Sequence, residues 1–430
     1  MAGRLLPLHE PIVFTLDGER VVAERGEPVA ASLIGAGHWT LARSPKFHRP
    51  RGPACMRGAC DGCLARVDGV PNVMTCLVPA EAGLDVRSQN TLGSREMDFL
   101  RMTDWFFPDG MNHHELFAGV PGVQSAMQVF ARRVAGLGHL PDATVPPKTA
   151  RRRSVDVLVV GAGPAGMAVA MAAAKGGHAV EVVDDGLLPG GGARGLMRED
   201  EPGLATLRDD FARTVASAQL RLRSRTVAGA VFGRDVLVVG TEVEVLEPRC
   251  LVIAAGAHDG VVPFENNDFP GVLSARAACL LGAAGISLGQ KVVMLVPDAT
   301  DATADEREQG STFASAFERR VAGREKMRVT RVRDVVRVKG SSHLRSVVVR
   351  ENGNERSIPA DVLLVDAPRA PAYELCEQAG ATLEHRSCGF VPVTERGRIA
   401  DGVWAIGEVT GAPLLATAFL RAAEEIAAQL

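Results

Sequence analysis

Val155-Asp-Val-Leu-Val-Val160 runs straight into Gly161-Ala-Gly163-Pro-Ala-Gly166, and then into an alanine-rich stretch, Met167–Lys175. An apolar strand, a glycine turn and a helix in that order predict a βαβ unit. The next apolar run, Ala179–Val183, supplies the second strand and ends at Asp184, about 20 positions past the turn. This is G-x-G-x-x-G in the full setting that a dinucleotide site needs. Gly161 makes the tight turn, Gly163 lets the backbone reach a pyrophosphate, and Gly166 lets the helix pack closely on the strand. Pro164 and Ala165 complete the turn, and the helix start turns its dipole toward the phosphates. Asp184 is expected to bind ribose hydroxyls, and its charge argues against a 2′-phosphate. Gly190 and Gly191, after Pro189, are expected to approach the same ligand. The motif leaves FAD and NAD both open.

Upstream, four of the eight cysteines lie within 22 positions: Cys55, Cys60, Cys63 and Cys76. The spacing C-x4-C-x2-C-x12-C is that of a plant-type [2Fe–2S] site. Three thiolates that converge on a small cluster need a tightly folded loop. Gly58 and Gly62 permit the backbone angles and the close N–H approach this requires. Structural zinc normally shows two close cysteine pairs; here only one exists and Cys76 stands apart. Unligated thiols are the remaining alternative. Cys250, Cys279, Cys376 and Cys388 are scattered and read as small buried hydrophobes.

The 430 residues carry a net charge of −3, so no basic field points to nucleic acid. With 46% hydrophobic and 23% charged residues, the composition is that of an ordinary globular protein with large cores. The longest apolar stretch, Ala277–Pro297, is broken by Gly282, Gly285, Gly289, Gln290 and Lys291, and predicts a helix then a strand rather than a membrane span. Met1–Pro11 lacks an export signal, so a cytoplasmic location with reduced cysteines is expected. Before Val155, Pro11–Leu16 and Arg20–Ala23 flank the hairpin signal Asp17-Gly18, Val29–Ala36 suits a helix, and Met74–Leu77 suggests a strand. Gln124–Val134 has helical spacing. The basic run Arg151–Arg153 is expected to close a solvated linker.

Later segments bring in a family. Cys250-Leu-Val-Ile-Ala-Ala-Gly256 resembles the second strand motif of flavoproteins with two dinucleotide domains, with Ala255 where threonine is usual. Val262–Val272, the late motif Gly402-Val-Trp-Ala-Ile-Gly407-Glu408 and the connector Arg133–Pro141 resemble the α-type subunits of multimeric amine and imino-acid dehydrogenases. These include sarcosine oxidase, opine oxidase, proline and hydroxyproline dehydrogenases and hydrogen cyanide synthase. The resemblance covers nearly the whole chain. It implies an α+β and α/β architecture: a β-grasp, ferredoxin-like [2Fe–2S] domain (1–94), a helical connector and linker (95–153), and a Rossmann-like flavoprotein. The first FAD half would span 154–273, an inserted degenerate NAD-type domain 274–362, and the second FAD half 363–430. Ala255, Gly256, Gly407 and Glu408 would contact FAD, with Glu408 replacing the commoner aspartate.

The resemblance also implies a flavin-containing β subunit that oxidises the amine, and an external electron acceptor. The inserted domain's first strand leads into an acidic loop, Pro297–Glu306, with no glycine before Gly310, so no nicotinamide is expected there. No catalytic acid–base pair, Ser/His/Asp set or C-x-x-C beside the flavin emerges. His258 and His113-His114 read mainly as polar surface, and Arg194 reads equally as a phosphate contact or as a solvated side chain. Two alternatives to an electron-transfer subunit stay open: a stand-alone NAD(P)H-dependent flavoprotein reductase, and an assembly subunit with a structural dinucleotide.

Overall fold

The computed structural model describes residues 3–45, 47–102, 146–196, 199–297, 304–322 and 327–430, with a few single positions between 122 and 141. His113-His114 and the acidic loop at 298–303 lie outside the described residues, as do most of the expected helix at 124–134 and of the segment 133–141.

The first sheet has five strands in the order 19–24, 11–16, 85–87, 64–67, 70–74. Pro11–Leu16 pairs antiparallel with Glu19–Glu24. The turn between them puts Asp17 at φ 50° and Gly18 at φ 85°, the left-handed pair that Asp-Gly tolerates best. Ile12, Phe14 and Leu16 alternate inward along the strand. The helix Val29–Gly35 covers them and buries Val29, Ala30, Ala31, Ser32, Leu33 and Ile34. It is buried nearly all round because its far side meets the rest of the chain. There Gly3–Arg4 pairs antiparallel with Ile286–Ser287.

The strand expected at Met74–Leu77 is corrected. The strand ends at Met74, and Thr75–Leu77 is a 3-10 turn. Thr75 makes the last contact to the neighbouring strand: its N–H and its hydroxyl both donate to the Cys63 carbonyl, at 3.2 and 2.7 Å, in register with the Leu64–Met74 pair, and the chain turns away beyond it.

The central sheet is built on two long parallel neighbours, Arg151–Val160 and Val243–Ile253. Val180–Val183 and then Leu220–Arg223 continue it on one side. On the other side, Val243–Ile253 carries the hairpin 227–239 along its first half and Val403–Ala405 along its second. The basic run is therefore not a linker but the start of a strand. Its partners are acids from other strands. Arg152 donates to Asp235 and Glu247. Arg153 donates to Glu181 (2.7 Å) and Glu244 (2.9 Å), and Arg223 reaches both of those carboxylates. Glu181 is buried within this set. Burial pushes its carboxyl up, but the arginine contacts outweigh that and hold it below its ordinary range.

The chain leaves this sheet after Ile253, and Ala257–His258 pairs antiparallel with the returning Ala370–Pro371. Between those points lies a four-stranded parallel sheet in the order 272–274, 362–365, 291–295, 328–332. The helices Ala275–Ala283 and Ala304–Val321 lie on one face of it. A three-stranded antiparallel sheet, 335–359, packs on the other through Val293, Leu295, Val335, Val338 and Val347. No helix among the described residues is long and apolar enough to cross a membrane.

Candidate functional site

Cys55, Cys63 and Cys76 are buried and Cys60 is half-buried. They associate in pairs, Cys55 with Cys60 and Cys63 with Cys76. The hydrogen bond between the two thiols of each pair lowers Cys60 and Cys63, while that bond and burial push Cys55 and Cys76 up. Two thiol pairs side by side suit the four-cysteine ligation of a [2Fe–2S] cluster.

The loop around the sulfurs fits a cluster too. The N–H groups of Arg57 and Ala59 point at Cys55 Sγ (3.4 and 3.3 Å), and that of Gly58 at Cys76 Sγ (3.2 Å). Such donors offset the negative charge that sulfurs carry in a cluster. Gly58 has φ +76°, and a Cβ there would sit 2.7 Å from Leu77 Cδ1. A Cβ on Gly62 would lie 1.9 Å from the Gly52 carbonyl. Gly62 admits no side chain unless backbone moves, and Gly58 is held to glycine by its left-handed φ.

The glycine turn divides its work among three residues. Gly161 has φ +102°, and a Cβ would be 2.4 Å from the Ala254 carbonyl. A Cβ on Gly166 would be 1.9 Å from the Gly161 carbonyl. A Cβ on Gly163 would meet nothing within 4 Å. Gly161 and Gly166 are thus demanded by packing, and Gly163 opens onto free space. That space is a cavity of about 810 Å³, within the size range of cofactor pockets. Gly161, Gly163, Pro164, Ala165, Asp184, Gly191, Ala255, Gly256 and Glu408 all border it. Gly190 is not among the residues that border it; its N–H donates to the Ala162 carbonyl at 2.7 Å. Gly407, at φ +90°, packs on Ala165, where a Cβ would come within 2.5 Å. The N–H groups at the start of the helix Pro164–Lys175 face the same space, a ready anion site.

Asp184 borders the cavity, but its oxygens already accept from the N–H groups of Ala162 (2.6 Å) and Gly186 (2.9 Å). Burial raises its carboxyl and that of the neighbouring Asp185, which also borders the space. Arg194 is half-buried in the cavity wall rather than solvated; burial lowers its pKa. His258 turns to the surface and pairs with Glu374 at 3.1 Å. Cys250, Cys279 and Cys376 are buried, and Cys388 is half-buried.

Sequence reading missed a group of buried charges beside Glu408. Glu408 Oε1 accepts from Arg369 Nε at 2.6 Å and lies 3.9 Å from Arg276. Burial raises its carboxyl, but these arginines overcome that and hold it below its ordinary range. Arg276 pairs with Asp259 at 3.0 Å, and burial pushes its guanidinium down to about 10. The Phe313 ring lies 5.3 Å from both the Arg276 and the Arg369 guanidinium carbons. Nothing in the local sequence marks these partners, because they come from four separate segments.

Asp366 adjoins this group and accepts from the Ala314 N–H at 2.9 Å; burial pushes it from 3.8 up to about 7. A raised carboxyl pKa favours the protonated form in the fold. Its contribution is complete below the unfolded value and is lost as pH rises through about 7. At most, roughly 4 kcal/mol rides on this shift. Asp366→Asn keeps an acceptor for Ala314, so its Tm should fall less between pH 5 and 8 than that of the unsubstituted chain. Parallel Tm–pH curves for the two proteins would refute this.

Residues 9–91 match the family described as a 2Fe-2S iron-sulfur cluster binding domain. The chain is 28% identical over 416 residues to the alpha subunit of sarcosine oxidase from Rhizobium meliloti (strain 1021), covering 87% of this chain and 42% of that protein. It is 28% identical over 310 residues to an opine oxidase subunit from Agrobacterium tumefaciens (strain Ach5), covering 60% of this chain and 61% of that one. It thus spans less than half the length of the sarcosine oxidase subunit. In fold it is similar to L-proline dehydrogenase from P. horikoshii, with a TM-score of 0.73 at 20% identity, over 99% of this chain and 74% of that one. The chain thus carries a 2Fe-2S iron-sulfur cluster binding domain at residues 9–91, and over most of its length it is similar to the alpha subunit of sarcosine oxidase and, in fold, to L-proline dehydrogenase.

Proposed function

We propose that this chain is an electron-transfer subunit. In this reading FAD, rather than NAD, occupies the cavity over Gly161–Gly166, and a [2Fe–2S] cluster is held by Cys55, Cys60, Cys63 and Cys76. A partner β subunit with its own flavin oxidises the C–N bond of a small amino or imino acid of the sarcosine, proline, hydroxyproline, opine or glycine type. The electrons pass through this chain to an external acceptor.

One observation carries the reading. Met56, Arg57, Cys76 and Leu77, from the cluster loop and its neighbouring turn, border the same cavity as Gly161 and Gly163. A ligand held there would touch a residue that also holds the cluster. A flavin accepts two electrons and can release them singly, and a [2Fe–2S] cluster carries one at a time. The chain's residues supply the rest: the helix start and Arg194 for the phosphates, backbone donors for the sulfurs, and an apolar wall that includes Leu77, Leu281 and Phe419. The sequence offers no acid–base or nucleophilic set for amine oxidation, which favours placing that chemistry on a partner.

The test is the visible spectrum of the anaerobically purified chain, with released nucleotide identified by mass. Flavin bands with broad iron–sulfur absorbance and about two irons per chain are expected. The chain alone should not oxidise amines, and robust turnover without a partner would end this reading. Rapid bleaching of the flavin by NADH would favour the stand-alone reductase instead.

A further inference from the structure

Arg57 stands two residues beyond Cys55 and belongs to both candidate sites. Its backbone N–H points at Cys55 Sγ at 3.4 Å. Its guanidinium crosses to the flavoprotein-like part, where Nη2 donates to the Ala257 carbonyl at 2.8 Å. That carbonyl also accepts from Arg276 at 3.3 Å. Arg57 Nε is buried and has no hydrogen-bond partner among the described residues. The side chain borders the cavity beside Gly163, Asp184, Gly191 and Glu408. Its charge lowers Asp184, Asp185 and Glu408 alike, so its field spans the cavity.

Arg57 is half-buried as a residue, but its Nε is shut off from solvent, and an N–H so placed without a partner carries an uncompensated desolvation cost. Water or an anion in the cavity would relieve it. A dinucleotide brings a doubly charged pyrophosphate, and arginine is suited to bind phosphate oxygens. No carboxylate among the described residues accepts from Arg57 Nε, Asp185 in the same cavity wall included. Glu408 holds Arg369 at 2.6 Å, and Asp184 is engaged by two backbone N–H groups.

We propose that Arg57 is a dinucleotide-binding residue contributed by the cluster loop, so that the dinucleotide site is complete only when that loop is folded around its cluster. The inference rests on the reading of the cysteine and glycine motifs given above. It adds a dependence of one site on the other. The loop between Cys55 and Cys60 is shaped by its ligation, and removal of the cluster frees the segment that carries Arg57. Dinucleotide affinity should therefore fall when iron is stripped, even though every glycine-turn residue is intact.

The experiment is calorimetric titration of the full-length chain with FAD and, separately, with NAD. Four samples are compared: cluster-loaded, cluster-stripped, and cluster-loaded Arg57→Gln and Arg57→Lys. Iron content and visible spectrum verify loading. Gln keeps a donor for the Ala257 carbonyl but removes the charge, whereas Lys keeps the charge. If Arg57 only staples the loop, Gln suffices. The expected result is a loss of about tenfold or more in affinity for Arg57→Gln, with Arg57→Lys much closer to the parent chain. The stripped chain should bind more weakly than the loaded one. Unchanged affinity in Arg57→Gln, or equal affinity with and without the cluster, would overturn the proposal while leaving the dinucleotide reading standing. A loaded parent chain that binds neither FAD nor NAD would remove that reading, and the proposal with it.

Discussion

Cys76→Ala should leave a chain that holds almost no iron after anaerobic reconstitution, whereas Cys250→Ala, Cys376→Ala and Cys388→Ala should each retain about two irons. The four cysteines have different surroundings. Cys76 is buried on the turn Thr75–Leu77, faces Cys63, and receives the Gly58 N–H at 3.2 Å. Removing it leaves one iron with a single protein thiolate. It also leaves the Gly58 N–H without its sulfur, in a loop too crowded for a substitute ligand to swing in. The effect should reach beyond the metal. Cys76 and Leu77 border the large cavity, so loss of the cluster should loosen that wall and lower both Tm and dinucleotide affinity. Iron and acid-labile sulfide per chain are the readouts. A Cys76→Ala chain that still takes up two irons would mean the fourth ligand is another residue.

The spacing of the cysteines picked out four thiols that the fold does bring together, in the pairs Cys55–Cys60 and Cys63–Cys76. Cysteines a few residues apart can meet only through a tight loop, and the glycines at 58 and 62 announce it. The secondary structure that delivers Cys76 was not legible in the same way. The chain turns at Thr75–Leu77 just past its last contact with the neighbouring strand, the Thr75 bonds to the Cys63 carbonyl twelve residues back, and no local propensity encodes where that pairing stops. The basic run at 151–153 misled for a related reason. Three arginines beside a proline pair look solvated until Glu181, Asp235, Glu244 and Glu247 arrive from other strands. Glu408 was legible as a residue of the late motif, but not as the partner of Arg369. Arg57 was hidden among the cysteines, where the spacing drew attention to the sulfurs and away from the side chains between them. In each case the motif exposed the residues whose role is set by the backbone, and tertiary contacts decided the role of the charged ones.

Gly163→Glu should abolish dinucleotide binding in a chain that still folds, and Gly166→Ala should damage the fold itself. The two glycines lie three residues apart in one motif, yet they are glycine for different reasons. Gly163 sits before the first helical turn at φ −70° and ψ 177°, angles that any residue adopts without strain. A Cβ there meets nothing within 4 Å, so a larger side chain has room, but only in the cavity. A glutamate would place a carboxylate against the helix N-terminus, where the anionic ligand is expected. It would be stabilised there and would repel the pyrophosphate. Binding of FAD or NAD should weaken by at least about 100-fold, or roughly 3 kcal/mol, while Tm changes by no more than about 2 °C. At Gly166 the added methyl would meet the Gly161 carbonyl at 1.9 Å and crowd the Ala254 methyl at 3.3 Å. Backbone must shift to relieve the first contact, which separates the helix Pro164–Lys175 from the strand Arg151–Val160. Overpacking of this kind costs about 1–3 kcal/mol or more, so this variant should lose Tm as well as binding. Thermal melts and titrations of both variants separate the two roles. A Gly163→Glu chain that binds as tightly as the parent would show that the cavity over the glycine turn is not where the dinucleotide lies.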